Sequence, residues 1–201
     1  MNSGNFEAFI LKLNLNMEFV YFRTFQGAST WAWVRAMFAD SVTSGLYAHV
    51  RTAAAAGGAD MRIVNLAYLS PGDLRWQSYI YNPTYAKYPT GKGGLTNDAT
   101  QVYSCQVNQA EAYIFKVDIA TGALTALREL RATNAIDCDI VLHSPSNKLI
   151  LAIHYIHDSG GAEGITEVAK IDSATMSLDT TSDKMKMSMS TFWPRGSGRM
   201  F

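Results

Sequence analysis

The chain of 201 residues has no excess of charge of either sign, with 17 lysine and arginine residues against 17 aspartate and glutamate residues. It lacks the basic surface with which proteins bind nucleic acid phosphates or an anionic bilayer, so we expect neither as a partner. Long apolar runs are also missing. Stretches such as residues 9–15 have the length of a β-strand and fall short of the ~20 residues that cross a bilayer. We therefore expect no membrane span.

The N-terminal sequence has neither the basic start nor the apolar run of a secretory signal. Two explanations stay open: the protein is cytosolic, or the sequence lacks a processed segment. Sites for N-glycosylation are missing as well, because Asn82 is followed by Pro83. The residues alone therefore assign no compartment.

Cysteine is scarce, with only Cys105 and Cys138 in the chain. Two cysteines permit one disulfide and are too few for a zinc site built from cysteine alone. A buried reduced pair and a disulfide are both compatible with the sequence.

Histidines do not form a convincing metal site. His154-Tyr-Ile-His157-Asp158 is the densest group of potential ligands. On a strand, residues three apart point to opposite faces, so these two histidines are predicted to face solvent near a strand end rather than to converge on a metal. His49 and His143 lie in or beside matching strand segments and are predicted to be structural.

The segment Thr90-Gly-Lys-Gly-Gly resembles a phosphate-binding loop only superficially. A Walker sequence needs glycine where Ala86 stands and serine or threonine where Gly93 stands. We predict a flexible loop between strands, with Lys92 in solvent.

Acidic residues give no defined site either. Asp137-Cys-Asp139 and Asn97-Asp98 offer oxygen ligands without the spacing of a calcium loop. There is no Gly-X-Ser-X-Gly sequence and no carboxylate pair that suggests glycoside hydrolysis. We therefore predict that the protein is not an enzyme, and we assign no catalytic, cofactor-binding or metal-binding residue.

Aromatic residues and methionines, in contrast, are plentiful. Large rings at alternating strand positions usually fill gaps between sheets, although Trp31, Trp33, Trp76 and Trp193 could also stack on sugars. The run Lys184-Met-Lys-Met-Ser-Met alternates strictly, which predicts a strand with its methionines pointing inward.

The most informative feature of the sequence is a strand-like segment that recurs. Glu-Ala-Phe-Ile-Leu-Lys-Leu-Asn-Leu at residues 7–15 reappears as Glu-Ala-Tyr-Ile-Phe-Lys-Val-Asp-Ile at residues 111–119. Aligned on its lysine, the pattern places Lys12, Asn65, Lys116 and Lys170 in equivalent positions, at steps of 53, 51 and 54 residues. We call these four residues the anchors. Such a period indicates a structural repeat.

Each anchor segment is followed by turn residues and a second apolar segment, which predicts a hairpin. Two more strand-like segments follow, as in residues 34–50 and 138–153. Four short strands in about 50 residues are typical of a β-propeller blade.

The same residues resemble a known family. Glu7-Ala-Phe-Ile-Leu-Lys-Leu-Asn, Tyr21-Phe-Arg-Thr-Phe-Gln-Gly and Ala39-Asp-Ser-Val-Thr-Ser-Gly-Leu-Tyr-Ala-His are similar to the seven-bladed β-propeller repeats called SBBP. Val117-Asp-Ile-Ala-Thr-Gly-Ala-Leu is similar to the YVTN and WD40-like repeats. The resemblance implies a propeller fold and slightly favours an extracellular or cell-surface location. It implies no catalytic residue.

We therefore expect an all-β propeller of four-stranded antiparallel blades, with about 3.5 to 4 blades in one domain over residues 1–201. The repeats are predicted at residues 5–57, 58–109, 110–162 and 163–201, the second with a long loop and the last incomplete. Either the first strand completes the fourth blade and closes a small ring, or the chain is part of a larger propeller. Closure into a ring removes the sheet edges that a partial ring leaves open, and we favour the second alternative because four-bladed rings are uncommon and the last repeat stops within a blade.

The expected function is that of a non-catalytic scaffold that assembles with other protein subunits, or with itself, through blade edges. A propeller that binds carbohydrate or another small molecule is one alternative, and a fragment of a propeller enzyme is another. No cofactor is expected.

Overall fold

The computed structural model describes residues 8–25, 32–40, 42–53, 59–67, 72–80, 93–108, 111–130, 135–156, 164–178 and 185–189. These residues form strands and turns, with a single 3₁₀ turn at Ser144–Ser146 and no α-helix among them. The strands are β1 (Ala8–Leu13), β2 (Phe19–Phe25), β3 (Ala32–Asp40), β4 (Gly45–Ala53), β5 (Ala59–Ala67), β6 (Leu74–Ile80), β7 (Leu95–Asn97), β8 (Gln101–Asn108), β9 (Glu111–Asp118), β10 (Leu124–Leu130), β11 (Ala135–His143), β12 (Lys148–Ile156), β13 (Gly164–Asp172) and β14 (Met185–Met189).

The strands form one two-stranded sheet and three four-stranded sheets, each in sequence order. We name them sheet I (β1–β2), sheet II (β3–β6), sheet III (β7–β10) and sheet IV (β11–β14). Strands that neighbour in sequence pair antiparallel within a sheet, as in β12 and β13, where Lys148 is opposite Asp172. Short connections explain this order, because antiparallel neighbours can be joined by tight turns whereas parallel ones need long crossovers.

The chain divides into two compact units. The first comprises Met1–Tyr88 and Val117–Leu124. It contains sheet I, sheet II and the turn between β9 and β10. Alternating residues of these strands point to one side and form its apolar core. The core residues are Ala8, Ile10, Tyr21, Phe25, Ala32, Leu46, Ala48, Val50, Val64 and Leu66.

The second unit comprises Pro89–Lys116 and Thr125–Phe201, and it holds sheet IV and most of sheet III. Its core includes residues of β8, β9, β11, β12 and β13. Cys105 of β8 and Cys138 of β11 form a disulfide inside this core, with their Cα atoms 6.2 Å apart. The sequence left the state of these cysteines open, and the structure pairs them.

The anchors recur in step with the sheets. Asn65, Lys116 and Lys170 lie on β5, β9 and β13, and each of these is the third strand of a four-stranded sheet. Lys12 lies on β1, which begins a sheet that has two strands in the described part of the chain. Sheet I therefore corresponds to the third and fourth strands of the other sheets.

The sheets begin and end at different residues from the predicted repeats. Residues 5–57 were predicted as one repeat, but the strands in this range belong to sheet I and to the first half of sheet II. The two-stranded sheet also lies at the N-terminal side of the described chain, whereas sheet IV, at the C-terminal side, has four strands. Turn residues could not show at which strand each sheet begins, because a hairpin within a sheet and a connection to the next sheet use the same types of turn residue.

The prediction of an all-β fold with four-stranded antiparallel sheets is confirmed. Closure of these sheets into a propeller ring stays a prediction. No helix in the described part of the chain has the length and apolar character needed to cross a bilayer.

Candidate functional site

The turns that follow the anchor strands share one construction. In three of them an Asn or Asp side chain, two residues after the anchor, accepts hydrogen bonds from backbone N–H groups of the turn. Asn14 Oδ1 accepts from the N–H groups of Asn16 and Glu18, both at 2.9 Å. Asp118 and Asp172 accept in the same way from residues two and three positions ahead, at 2.8 to 3.1 Å. The repeated Lys-apolar-Asx sequence is therefore a strand end and its turn cap.

These hydrogen bonds also shift the acidity of the capping residues. The hydrogen bond from the Thr121 hydroxyl and those from backbone N–H groups hold the pKa of Asp118 below its usual value. The pKa of Asp172 is lowered first by the backbone N–H of Thr175 and then by Lys148, whose Nζ lies 2.9 Å from Oδ2. Both side chains therefore stabilise the turns in their ionised form.

Each turn also contains one residue with positive φ. These residues are Met17 (65°), Gly72 (72°), Gly122 (75°) and Met176 (59°). Glycine adopts this conformation without a steric penalty, whereas methionine does so at a cost. The conformation recurs although the residue type changes, which indicates that the hairpin requires it.

Three of the four turns are held by a side chain from the last strand of an earlier hairpin. Within the first unit, Arg23 Nε on β2 donates to the carbonyl oxygen of Gly72 at 2.9 Å, and Trp76 Nε1 on β6 donates to that of Ile119 at 2.7 Å. Within the second unit, the guanidinium of Arg128 on β10 donates to the carbonyl of Met176. The same kind of contact therefore recurs at steps of roughly 50 residues.

In two of these turns, an aromatic ring packs closely against the glycine. A Cβ atom added to Gly72 would lie 2.7 Å from the ring of Tyr21, and one added to Gly122 would lie 2.8 Å from the ring of Trp76. Glycine is thus needed both for its backbone angle and for the close approach of a ring.

A lysine anchor supports one turn in addition. Lys116 Nζ donates to the carbonyl of Ser173 at 3.1 Å and lies 3.5 Å from that of Ala174. Both carbonyls belong to the turn after β13. The lysine therefore has a structural reason to recur at this place in the pattern.

The residues on either side of an anchor are buried in the later sheets. They are Val64 and Leu66 in β5, Phe115 and Val117 in β9, and Ala169 and Ile171 in β13. Val64 and Leu66 share the core of the first unit with Ile10 and Tyr21 of sheet I. Ile171 shares the core of the second unit with Ile114 of sheet III. In sheets II and IV, this side is thus covered by an earlier sheet of the same unit.

Sheet I departs from this rule. Leu11, which precedes its anchor, is 46% exposed, and Phe9 on the same side is 57% exposed. Phe22, opposite Leu11 in the register, is 47% exposed, and its ring centroid lies 5.4 Å from that of Phe9. We call Phe9, Leu11 and Phe22 the open face. It carries no charged side chain.

The apolar surface continues into the adjoining turn. Leu15, Met17 and Phe19 are all exposed. Along the described chain, β1 pairs with β2 only, so its other edge presents backbone groups that no described strand pairs with. Exposed apolar area next to an open strand edge is typical of a surface that binds another polypeptide.

The histidines have structural surroundings. His154 on β12 is half-buried rather than solvent-facing, and its Nδ1 lies 2.7 Å from Thr166 Oγ1 on β13. His49 is buried on β4, and His143 Nδ1 lies 2.6 Å from Ser146 Oγ. His157 and Asp158 lie outside the described residues.

The acidic candidates act in local structure. Burial acts to raise the pKa of Asp98, but hydrogen bonds from the Tyr103 hydroxyl and from the N–H groups of Thr100 and Gln101 outweigh it and lower the pKa. Asp139 Oδ1 accepts from the N–H of Ile140 at 2.9 Å. Among the residues that the structure describes, no group of three His, Cys, Asp or Glu side chains could hold a metal ion.

The tryptophans that the structure describes are both engaged. Trp76 packs on the turn at Gly122, as described above. Trp33 on β3 is half-buried, with the Arg35 guanidinium 5.5 Å from its ring centroid. Trp31, Trp193 and the loop at Thr90 to Lys92 lie outside the described residues.

The methionine run forms β14, the strand that the alternation predicted. The open face was missed at the sequence level. Both faces of β1 are apolar, which reads as a strand buried on both sides. The sequence alone could have shown that sheet I has two described strands, where the other sheets have four, only if the residues at which the sheets begin had been known.

The chain has no match among protein-family models, and a search of curated proteins also finds no match.

Proposed function

We propose that the protein is a non-catalytic scaffold of the β-propeller type that assembles with other proteins through sheet I. The observation that carries this proposal is the contrast between the sheets. Residues beside the anchors are buried in sheets II, III and IV, and their counterpart Leu11 in sheet I is half-exposed. The equivalent surface is buried in three sheets and exposed in sheet I, so this surface of sheet I is the best candidate for a binding surface.

The open edge of β1 adds a second means of binding. A strand from a partner can pair with such an edge, while apolar side chains cover the face beside it. Full burial of a large apolar side chain is worth about 1.5–3 kcal/mol, so each half-exposed residue of the open face would contribute roughly 1 kcal/mol. Only part of this would remain as affinity, since association also has an entropic cost.

Other properties agree with a structural role. The acidic, histidine and tryptophan side chains that the structure describes at the candidate positions take part in turns, strand pairing or packing. Disulfides persist mainly in oxidising compartments, so the Cys105–Cys138 bridge favours an extracellular location. Binding of carbohydrate or another small molecule, and a role as a fragment of a propeller enzyme, stay predictions, and no contact among the described residues favours either of them.

A photo-crosslinking amino acid in place of Phe22 tests the proposal in the cells that express the protein. We expect covalent adducts with protein on irradiation, because Phe22 lies on the open face. The matched control places the same amino acid at Val42, which is 88% exposed in the loop after β3. Adducts at neither position, or equally at both, would contradict assembly through sheet I. Mass spectrometry of the adducts separates a second copy from a different protein.

A further inference from the structure

We infer that the partner of sheet I is a second copy of this chain, which covers the open face with the outer side of its own sheet IV. This inference rests on the proposed function and adds the identity of the partner and the surface that it uses. The contact joins two different surfaces head to tail.

The argument begins with the two sides of each anchor strand. In sheets II and IV, one side, formed by the residues next to the anchor, is buried against an earlier sheet of the same unit. The other side contains the anchor and the residue two positions before it. Ile10, Ile63 and Ile114 hold this second position in β1, β5 and β9, and all three are buried.

Sheet IV differs over part of this second side: Ala152 and Thr166 are buried there, but other residues are not. Val168, the counterpart of these isoleucines, is half-buried, and the anchor Lys170 is exposed. The register places Ile150 opposite Lys170 and Val141 opposite Ile150, so these three side chains share one side of the sheet. Ile150 is half-buried and Val141 is 44% exposed. We call Val141, Ile150, Val168 and Lys170 the terminal face.

The open face and the terminal face are complementary by construction. The open face of sheet I is equivalent to the side of sheet II that packs on sheet I and to the side of sheet IV that packs on sheet III. The terminal face of sheet IV is equivalent to the sides of sheets I and III that make these two contacts. One chain thus carries both halves of a contact that its own units make repeatedly.

The polar contacts indicate how the two faces would align. Lys116 donates to the carbonyls of Ser173 and Ala174, the first two residues after the turn cap Asp172. The matching residues in sheet I are Leu15 and Asn16, after the cap Asn14. In the assembly, Lys170 of one copy donates to these two carbonyls of the next copy, and Leu15 and Met17 lose their exposure.

A head-to-tail contact has a distinctive consequence. It uses different surfaces on the two copies, so it forms open chains or closed rings, and the smallest ring is a two-fold pair that contains the contact twice. Two variants that are each damaged on a different face should then restore one good contact when they are mixed. Two-fold pairing of open faces would not be restored in this way.

The test uses sedimentation velocity of the full chain over a range of concentrations. Leu11→Lys damages the open face and Val141→Lys damages the terminal face, and both replace a half-exposed apolar residue. We expect the wild type to self-associate and each variant to raise the dissociation constant at least tenfold. An equimolar mixture of the two variants should form a 1:1 dimer and stop there. Val42→Lys, on an exposed loop, should associate like the wild type.

A wild type that stays monomeric at all concentrations would overturn the inference. So would a mixture that fails to dimerise, or a Val141→Lys variant that associates normally. The crosslinking experiment separates this outcome from failure of the proposed function. Adducts of Phe22 with a different protein would leave assembly through sheet I in place, whereas absence of all adducts would remove it.

Discussion

Single residues determine the conformation of the turns in this protein. They do so through the backbone angle φ and through the space that their side chains leave for neighbouring rings. Gly72 and Gly122 combine positive φ with close contact to an aromatic ring. Met17 and Met176 adopt nearly the same angle with a full side chain. Met176 is buried and Met17 is exposed, so only Met176 gains packing that offsets its strained backbone.

We expect Gly122→Ala to lower the free energy of unfolding by at least 1–2 kcal/mol, the usual cost of left-handed backbone for a residue with Cβ. The new Cβ would also meet the Trp76 ring, which must move. Urea denaturation monitored by tryptophan fluorescence measures the loss. Met17→Gly is the matched control, because it relieves the same strain at an exposed position and should not destabilise the monomer. Equal stability of Gly122→Ala and the wild type would contradict the requirement for glycine.

Hairpins are the elements that recur. The acidic side chains that cap their turns make the stability of the fold depend on pH. The folded pKa of Asp172 lies below its unfolded value of about 3.9. The ionised cap therefore contributes its full stability above that value and loses it as the pH falls toward the folded pKa. The unfolded chain takes up the proton first, which shifts the equilibrium toward unfolding.

Asp172→Asn separates the charge from the cap, since Asn14 shows that an asparagine can cap the same turn. We expect the variant to be less stable than the wild type at pH 6, where Lys148 loses its charged partner. The difference should shrink as the pH is lowered to 3 and below, because the carboxylate of the unfolded wild-type chain becomes protonated before that of the folded chain. Urea denaturation at both pH values measures this. A difference that does not change with pH would show that the carboxylate charge is unimportant.

At the scale of the whole molecule, the two compact units differ in their covalent constraint. The disulfide joins two cysteines of the second unit that are 33 residues apart in sequence, and it links β8 of sheet III to β11 of sheet IV. In the first unit, the described sheets are held together by apolar packing and by contacts such as those of Arg23 and Trp76.

Reduction of the disulfide, or its removal by Cys105→Ser with Cys138→Ser, should destabilise the second unit by roughly 3–4 kcal/mol, as loop-closure entropy predicts. Hydrogen exchange measured by strand tests this. Amides of β8 and β11 should exchange faster, while those of β4 and β5 in the first unit change little. Equal acceleration in both units would show that they unfold together, and no acceleration would contradict a stabilising bridge.

Much of the fold could be predicted from local chemistry. The alternation of β14, the turn caps Asn14, Asp118 and Asp172, and the step between anchors are written in short stretches of sequence. The phase of the sheets could not be predicted, because it depends on which of two similar connections stays within a sheet. The open face was hidden for the same reason, since Leu11 and Phe115 are both apolar residues beside an anchor lysine.

The sequence by itself determined the strands, their turns and their period, because these depend on residues close together in the chain. Tertiary structure alone decided that Cys105 meets Cys138, that Trp76 reaches the turn at Ile119 and that sheet I has two strands among the described residues. Those outcomes depend on contacts between residues about 30 to 50 positions apart, for which local patterns carry no information.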